Sequence, residues 1–238
     1  MRKEVLLILK QVPTVVRHIQ VRTIKKPKVF VLGANKTGTT SLNNFLQQLG
    51  FRIGPQKQFS MLLHDYFDGD WEAIFKIIKN YEAFQDSPFS MATDAFISEI
   101  RNQYPNAKFI LLTRKNSSEW YHSLVRFHRK IRYGNKEKIE WHDVQKIQYS
   151  GRQVDRALLH YHNYDVLDPT YKKPPYDQEV LESWYNTYNA RIMRYFKNDK
   201  NFIIVNLENK DSEARIKTFL GKENSAAKIE WLNRTKPK

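Results

Sequence analysis

The chain has 238 residues, no cysteine, 40 Lys and Arg against 25 Asp and Glu, and a formal net charge of +15. That length suits one well-buried α/β core and is short for two comfortable domains, and the ordinary apolar content argues against disorder. The absence of cysteine excludes disulfides and thiolate zinc sites and suits a reducing compartment, while the charge points to an anionic ligand, a membrane surface or nucleic acid.

Residues 1–27 hold a modest apolar stretch, Val5 to Val16, followed by a basic tract of Arg17, Arg22, Lys25 and Lys26. The tract suits a peripheral contact with anionic membrane lipid; a helix packed on the domain's side with a solvated basic tail is the plainer reading. No run approaches the ~18–20 apolar residues that span a bilayer. Val5–Leu9 is too short for a transmembrane helix and lacks a signal peptide's small-residue cleavage site.

Lys28–Gly50, KVFVLGANKTGTTSLNNFLQQLG, reads as strand, Gly-bounded loop and helix. Val29, Phe30, Val31 and Leu32 form a continuous apolar run suited to a strand buried on both faces. Thr39 or Thr40 is expected to open a helix whose apolar positions Leu42, Phe45, Leu46 and Leu49 recur at helical spacing, with Gly50 closing it. The loop between them can present a row of backbone N–H groups at a helix N-terminus, a ready anion site. In the nucleotide-triphosphatase pattern G-x-x-x-x-G-K-[ST], Gly33, Gly38 and Thr40 fit, but Thr39 stands in the lysine's place. The loop's lysine, Lys36, lies earlier, inside the turn. The loop is a phosphate cradle with its cation moved; an ordinary Gly-containing βα turn is the alternative.

Downstream, Phe51-Arg52-Ile53 is expected to be a short strand ended by Gly54-Pro55. Residues 59–79 read as helix interrupted near Asp68-Gly69-Asp70, Tyr81–Phe84 as a second central strand, and Met91–Gln103 as helix. Lys108–Thr113, KFILLT, is a clear strand with Arg114 at its end. Asn116 with Glu119 three residues on is expected to cap the next helix, with Trp120, Leu124, Phe127 and Ile131 as its apolar stripe. Residues 133–177 are rich in Tyr, His, Lys and Arg with weak periodicity, as befits a lid or an acceptor-binding insertion. A long helix from Gln178, a buried strand Asn201–Leu207 and a helix Ser212–Leu220 ending at Gly221 complete the pattern, before the basic tail Arg234–Lys238. Alternating strands and helices predict an α/β, three-layer sandwich around a mainly parallel central sheet. Ligands in such sheets bind beyond the strands' carboxyl ends, where Gly33–Ser41, Asp86 and Arg114 all fall.

Asn35-Lys36-Thr37-Gly38-Thr39-Thr40-Ser41-Leu42 resembles the 5′-phosphosulfate loop of the sulfotransferases that use PAPS, 3′-phosphoadenosine 5′-phosphosulfate. Tyr104–Arg114 followed by Trp120-Tyr121-His122-Ser123 is similar to that family's second signature, a strand-end arginine and a serine about eight residues on, both for the 3′-phosphate. Ser123 lies nine residues after Arg114, so either the turn holds an extra residue or Ser117 or Ser118 takes the role. The resemblance covers Val29 to Ser123 and extends loosely through Trp184–Phe196, Asn201–Leu207, Phe219-Leu220-Gly221 and Leu232-Asn233.

The resemblance implies a P-loop-NTPase-like fold, with residues 1–238 as a single sulfotransferase-like domain. It also implies transfer of a sulfuryl group from PAPS to an acceptor hydroxyl, with PAP as product. Lys36 is then the cation at the leaving oxygen, and Lys36, Thr37, Gly38, Thr39, Thr40 and Ser41 form the cradle. Arg114 and Ser123 hold the 3′-phosphate; an arginine is apt there because its planar fork grips phosphate bidentately. No divalent metal is required. Asp86 is the first candidate for the base, although relatives often carry Lys or His at that place, and a helix-capping role ahead of Ser87-Pro88 competes. His64 is the second candidate, in a segment where glycan-modifying relatives place a glutamate; Asp94 is weaker.

Trp141, Tyr149, Tyr161 and Tyr164, near Arg152, Arg156 and His160, can stack on a sugar and hold its anionic groups. The expected acceptor is therefore a carbohydrate or glycolipid hydroxyl, ahead of a small phenol or steroid. The expected location is cytoplasmic with membrane-peripheral contact rather than Golgi-anchored. A P-loop kinase with a degenerate loop is the enzyme alternative; it predicts a lysine at position 39 and an acidic magnesium ligand at a strand end. A basic nucleic-acid-binding protein is the non-enzyme alternative. Nucleic acid is not the expected partner, because the basic residues are dispersed and no nucleic-acid module is recognisable.

Overall fold

Successive residues of the first strand bury on opposite sides, as the period of two in a strand requires. In the computed structural model, which describes residues 27–146 and 173–232, β1 (Val29–Val31) sends Phe30 into one apolar cluster and Val29 and Val31 into another. β3 (Lys108–Leu112) divides in the same way, Phe109 and Leu111 to the first cluster, Ile110 and Leu112 to the second. Helices α1 (Thr39–Gln48) and α9 (Ser212–Leu220) cover the Val29–Val31 face through Leu42, Phe45, Leu46, Ile216 and Leu220. The Phe30 face is covered by α2 (Gln56–Met61), α3 (Leu63–Asp68), α4 (Glu72–Ile78), α5 (Asp94–Gln103) and α8 (Gln178–Tyr195). The result is a three-layer α/β sandwich, as the sequence predicted.

The sheet is parallel throughout, in the order β2 (Ala83–Phe84), β1, β3, β4 (Phe202–Val205), with Val29 opposite Ala83 and Lys108, and Phe109 opposite Phe202. The chain leaves β1 to one side for β2, then returns past β1 to form β3. The crevice between β1 and β3 is therefore a topological switch point, the place where open α/β sheets bind ligands.

Several boundaries differ from the sequence reading. Tyr81–Phe84 contributes only Ala83–Phe84, at the edge of the described sheet rather than its centre, because the backbone turns away at once to deliver Gln85 and Asp86. Phe51–Ile53 gives a single bridge, Ile53 to Ala83, instead of a strand. Asn201–Leu207 narrows to Phe202–Val205, and this edge strand is half exposed, not buried. Met91 closes a 3₁₀ turn (Phe89–Met91), and α5 starts only at Asp94, capped by Thr93, whose Oγ1 accepts from Phe96 N at 3.2 Å. Gly50 does close α1: its N–H donates to Gln47 O at 2.9 Å and that of Phe51 to Leu46 O at 3.0 Å. The break at Gly69 separates α3 from α4 as expected.

Helix α6 (Ser117–Arg132) is capped by Asn116, whose Oδ1 accepts from Glu119 N at 2.8 Å. Its stripe is Trp120, Ser123, Leu124 and His128, while Ile131 is 48 % exposed and Phe127 only half buried. The face turns because the chain's own Tyr176 fills that side: its hydroxyl lies 2.8 Å from His128 Nδ1 and donates to Tyr133 Oη at 3.3 Å. Burial and the neighbouring Arg132 hold His128 well below the usual histidine range. The two described ends of the 133–177 segment thus meet at α6, and Trp141, at the start of α7 (Trp141–Lys146), donates to Lys173 O at 2.9 Å. The N-terminal basic tract, Tyr149, Arg152, Arg156, His160, Tyr161, Tyr164 and the basic tail lie outside the described residues. Among the described residues no helix is long and apolar enough to cross a membrane.

Candidate active site

At the switch point the two strand ends approach so closely that residue 33 has no room for a side chain. A Cβ on Gly33 would lie 2.5 Å from Leu112 Cβ and 2.6 Å from Leu112 O, well inside van der Waals contact. The loop then folds on itself: Thr37 Oγ1 donates to Ala34 O at 2.6 Å, and Lys36 takes a left-handed φ of 73°. Gly38, at φ 105°, is the N-cap of α1, and no side chain caps the helix. Thr39 opens the helix, as the sequence led one to expect. Thr37, Thr39 and Ser41 are buried and Thr40 is exposed.

Three of the loop's hydroxyls already have partners inside the protein. Besides Thr37, Thr39 Oγ1 donates to Asp86 Oδ1 at 3.3 Å, and Ser41 Oγ accepts from Leu232 N at 3.0 Å. The first turn of a helix leaves its N–H groups without intrahelical partners. Those of Thr39, Thr40 and Ser41 are such donors, and α1 has no acidic residue in its first turn to complement them. What the loop offers an anion is therefore chiefly backbone N–H groups and a helix dipole.

Lys36 and Asp86 come to this loop from neighbouring strands. Lys36 Nζ rests 3.6 Å from the centre of the Phe127 ring, a cation–π contact. Burial pulls Lys36 down from the ordinary lysine value to about 8; Arg114 pushes the same way, Asp86 opposes, and Arg126 adds to the lowering. Asp86 sits at φ 57° just past β2. Burial raises its carboxyl to about 6, against the hydrogen bond from Thr39 and the charge of Lys36. In both groups dehydration outweighs the mutual attraction. The helix-capping role is not what Asp86 does: the 3₁₀ turn has Pro88 as its N-cap, and the carboxyl receives Thr39 instead.

Arg114, at the end of β3, reaches back across the crevice. Its Nε donates to Lys36 O at 3.0 Å and its Nη1 pairs with Glu208 Oε1 at 2.6 Å. Ser123 is buried one helical turn before Phe127. Residues i and i+4 share a helix face, so Ser123 and Phe127 look toward the same side as Lys36. Ser117, by contrast, donates to Glu182 Oε2 on α8 at 2.9 Å, and Ser118 stands beside it at the start of α6. His64 is half-buried on α3, and among the described residues no hydrogen bond joins it to the loop or to Asp86. Asp94 turns to Arg191.

A set of aromatic residues, of which the sequence singled out Trp120 only for its place in an apolar stripe, holds these parts. Trp120 Nε1 donates to Asn35 O at 2.8 Å, Tyr188 Oη donates to Leu32 O at 2.7 Å, and Tyr185 Oη accepts from Arg114 N at 2.8 Å. Trp120 stacks on Tyr185 with ring centres 4.6 Å apart, and Ala34 of the loop belongs to the same apolar cluster. The signal available was the run Trp184-Tyr185 with Tyr188 at i+3, on a helix whose tyrosines must find partners when buried. Glu208 was missed as well, although it lies just past the carboxyl end of a strand, where ligands bind.

Among the described residues no group of three or more His, Cys, Asp or Glu is placed to hold a metal ion. The arrangement can bind an anion on backbone donors, place a cation beside it and offer a carboxylate within the same dehydrated pocket. A search against curated proteins finds no significant match. A family model described as sulfotransferase domain matches residues 28–237, spanning every element above. The chain belongs to the sulfotransferase-domain family.

Proposed function

We propose that the chain transfers the sulfuryl group of PAPS to an acceptor hydroxyl on a carbohydrate or glycolipid. The observation that carries the reading is that Lys36, Asp86 and the uncapped start of α1 come together beyond the carboxyl ends of β1 and β2, next to the switch point. The α1 N–H groups and Lys36 would take the 5′-phosphosulfate, and Arg114 with Ser123 the 3′-phosphate; Ser123 is preferred to Ser117 and Ser118 because it shares its helix face with Phe127.

In the reaction the bond between sulfur and the 5′-phosphate oxygen breaks as the bond between sulfur and the acceptor oxygen forms. Asp86 takes the acceptor's proton, which a carboxyl raised to about 6 can do near neutral pH. Lys36 and the α1 N–H groups stabilise charge that grows on the departing phosphate oxygen, where fixed donors act most strongly. A phosphate is a good leaving group, so the reading requires no metal. His64 is kept as the second candidate base.

The carbohydrate acceptor rests on the aromatic and basic composition of residues 133–177, with Trp141 at their described edge. Function as a single domain in the cytoplasm, with a peripheral contact to anionic membrane through the basic N-terminal tract, belongs to the same reading; the cysteine-free composition and the net charge support it.

The test is thermal stabilisation by PAP, ATP with magnesium, or an oligonucleotide. PAP without metal is expected to stabilise the fold, by ~2.7 kcal/mol at a hundredfold excess over its dissociation constant. A shift with ATP-magnesium and none with PAP would favour the kinase alternative.

A further inference from the structure

The guanidinium proposed to grip the 3′-phosphate is already gripping a carboxylate. Arg114 Nη1 and Glu208 Oε1 are 2.6 Å apart, in a pair that keeps some contact with solvent on both sides. The guanidinium is oriented from behind by its Nε bond to Lys36 O, which holds its Nη1 toward Glu208. Glu208 is presented by a tight turn after β4: Asn206 Oδ1 accepts from Glu208 N at 3.0 Å, Asn206 O accepts from Asn209 N at 3.0 Å and from Ser212 Oγ at 2.6 Å. Leu207, between them, is buried against Gly38, where a Cβ would meet Leu207 Cδ1 at 2.8 Å. The backbone is thus held on both sides of Glu208, and only its side chain is free to swing outward.

We propose that Glu208 is a built-in competitor for the 3′-phosphate on Arg114, so that a nucleotide seats there only if it carries an anion able to displace a carboxylate. The inference rests on the donor reading given above. A phosphate monoester brings up to two charges and three acceptor oxygens, against one charge and two oxygens for the carboxylate, so it wins the guanidinium fork. A ribose hydroxyl, neutral, does not. Glu208 therefore holds down the affinity for PAP while leaving adenosine 5′-phosphate, which does not engage Arg114, untouched, and it returns to Arg114 when PAP leaves.

Calorimetric titration of PAP and adenosine 5′-phosphate against the wild type, Glu208→Gln and Glu208→Asp tests this. With the competing charge gone, Glu208→Gln should bind PAP about two- to fivefold more tightly, the scale of a partly exposed ion pair, and adenosine 5′-phosphate as before. Glu208→Asp, which pulls the carboxylate back by one methylene, should move the same way by less, and carries the test should the glutamine variant fail to fold. Asp211→Asn makes the same change in net charge on the same turn without touching Arg114; it should not alter the preference between the two nucleotides. Weaker PAP binding by Glu208→Gln would overturn the proposal and make Glu208 a support for Arg114. An equal gain for both nucleotides, or a gain matched by Asp211→Asn, would overturn it in favour of bulk charge. A wild type with no preference for PAP would instead sink the 3′-phosphate reading of Arg114, and the competitor with it.

Discussion

At the β1–β2 end of the sheet's carboxyl edge, Lys36 and Asp86 are both dehydrated, and burial moves them toward each other on the pH scale, to about 8 and about 6. At the β3–β4 end, Arg114 and Glu208 meet in a 2.6 Å ion pair that stays partly in solvent. A lysine and a carboxyl poised near neutrality can gain or lose a proton during turnover. A guanidinium cannot lose its proton and serves to hold a ligand. On the proposed reading the edge is divided accordingly: chemistry beside β1 and β2, recognition beside β3 and β4.

Asp86→Asn breaks the chemical half most deeply. Asparagine tolerates the left-handed backbone at φ 57° and can still accept from Thr39, so the fold and PAP affinity should hold. Turnover should fall by about 10²- to 10⁴-fold, the range for loss of a general base. Unchanged turnover in Asp86→Asn together with silence in His64→Ala would reverse the order of the two candidates.

Lys36→Ala should cost turnover about 10²- to 10³-fold, as for the loss of one fixed transition-state donor, while a thermal melt of the free protein changes little. The intact pair also predicts a bell-shaped rate against pH, rising as Asp86 ionises near 6 and falling as Lys36 deprotonates near 8. The same shifts act on stability in a definite sense. Asp86 is raised above its ordinary 3.8, so its stabilising contribution is full below that value and is lost as pH rises through about 6. Lys36 is lowered from 10.5, so its contribution is full above that value and is lost as pH falls through about 8. Between 6 and 8 the site weakens the fold most, in the range where both groups carry the charge the proposed reaction would use.

Arg114→Ala addresses the other half. Loss of a charge-assisted hydrogen bond is worth ~1.5–3 kcal/mol, roughly ten- to 150-fold in affinity. PAP should weaken by that factor and adenosine 5′-phosphate hardly at all, by calorimetric titration. Equal losses for both would move Arg114 from recognition to support of the loop, since its Nε also holds Lys36 O.

The chemical half was the more legible in sequence. Strand, glycine-bounded loop and helix follow from local pattern, and Lys36 lies in the loop after β1 and Asp86 just past β2, where chain order alone places them. The recognition half depends on contacts between distant segments. Glu208 is 94 residues from Arg114, and Tyr185 is 71 residues from it; no local period announces such pairs. The strand ends were misjudged for a related reason: Ile203 and Ile204 read as buried by hydrophobicity, but β4 has no partner strand on its outer side among the described residues, and Ile204 is 36 % exposed.

The smallest expected effect tests how Arg114 is aimed. Tyr185 contributes a ring that stacks on Trp120 and a hydroxyl that accepts from Arg114 N. Tyr185→Phe keeps the ring and removes the acceptor, leaving a partly buried N–H without that partner. Stability should fall by about 1 kcal/mol, the usual net worth of such a bond, measured by chemical denaturation. The backbone of residue 114 is then held less firmly, so PAP should weaken by about two- to fivefold, while turnover at saturating PAP stays near that of the wild type because Lys36 and Asp86 are untouched. Trp120→Phe cuts on the other side, removing the Nε1 donor to Asn35 O within the loop that carries Lys36. That variant should lower turnover as well as affinity. A turnover loss in Tyr185→Phe as large as in Trp120→Phe would show that the two halves of the edge move together, and the division drawn between them would not stand.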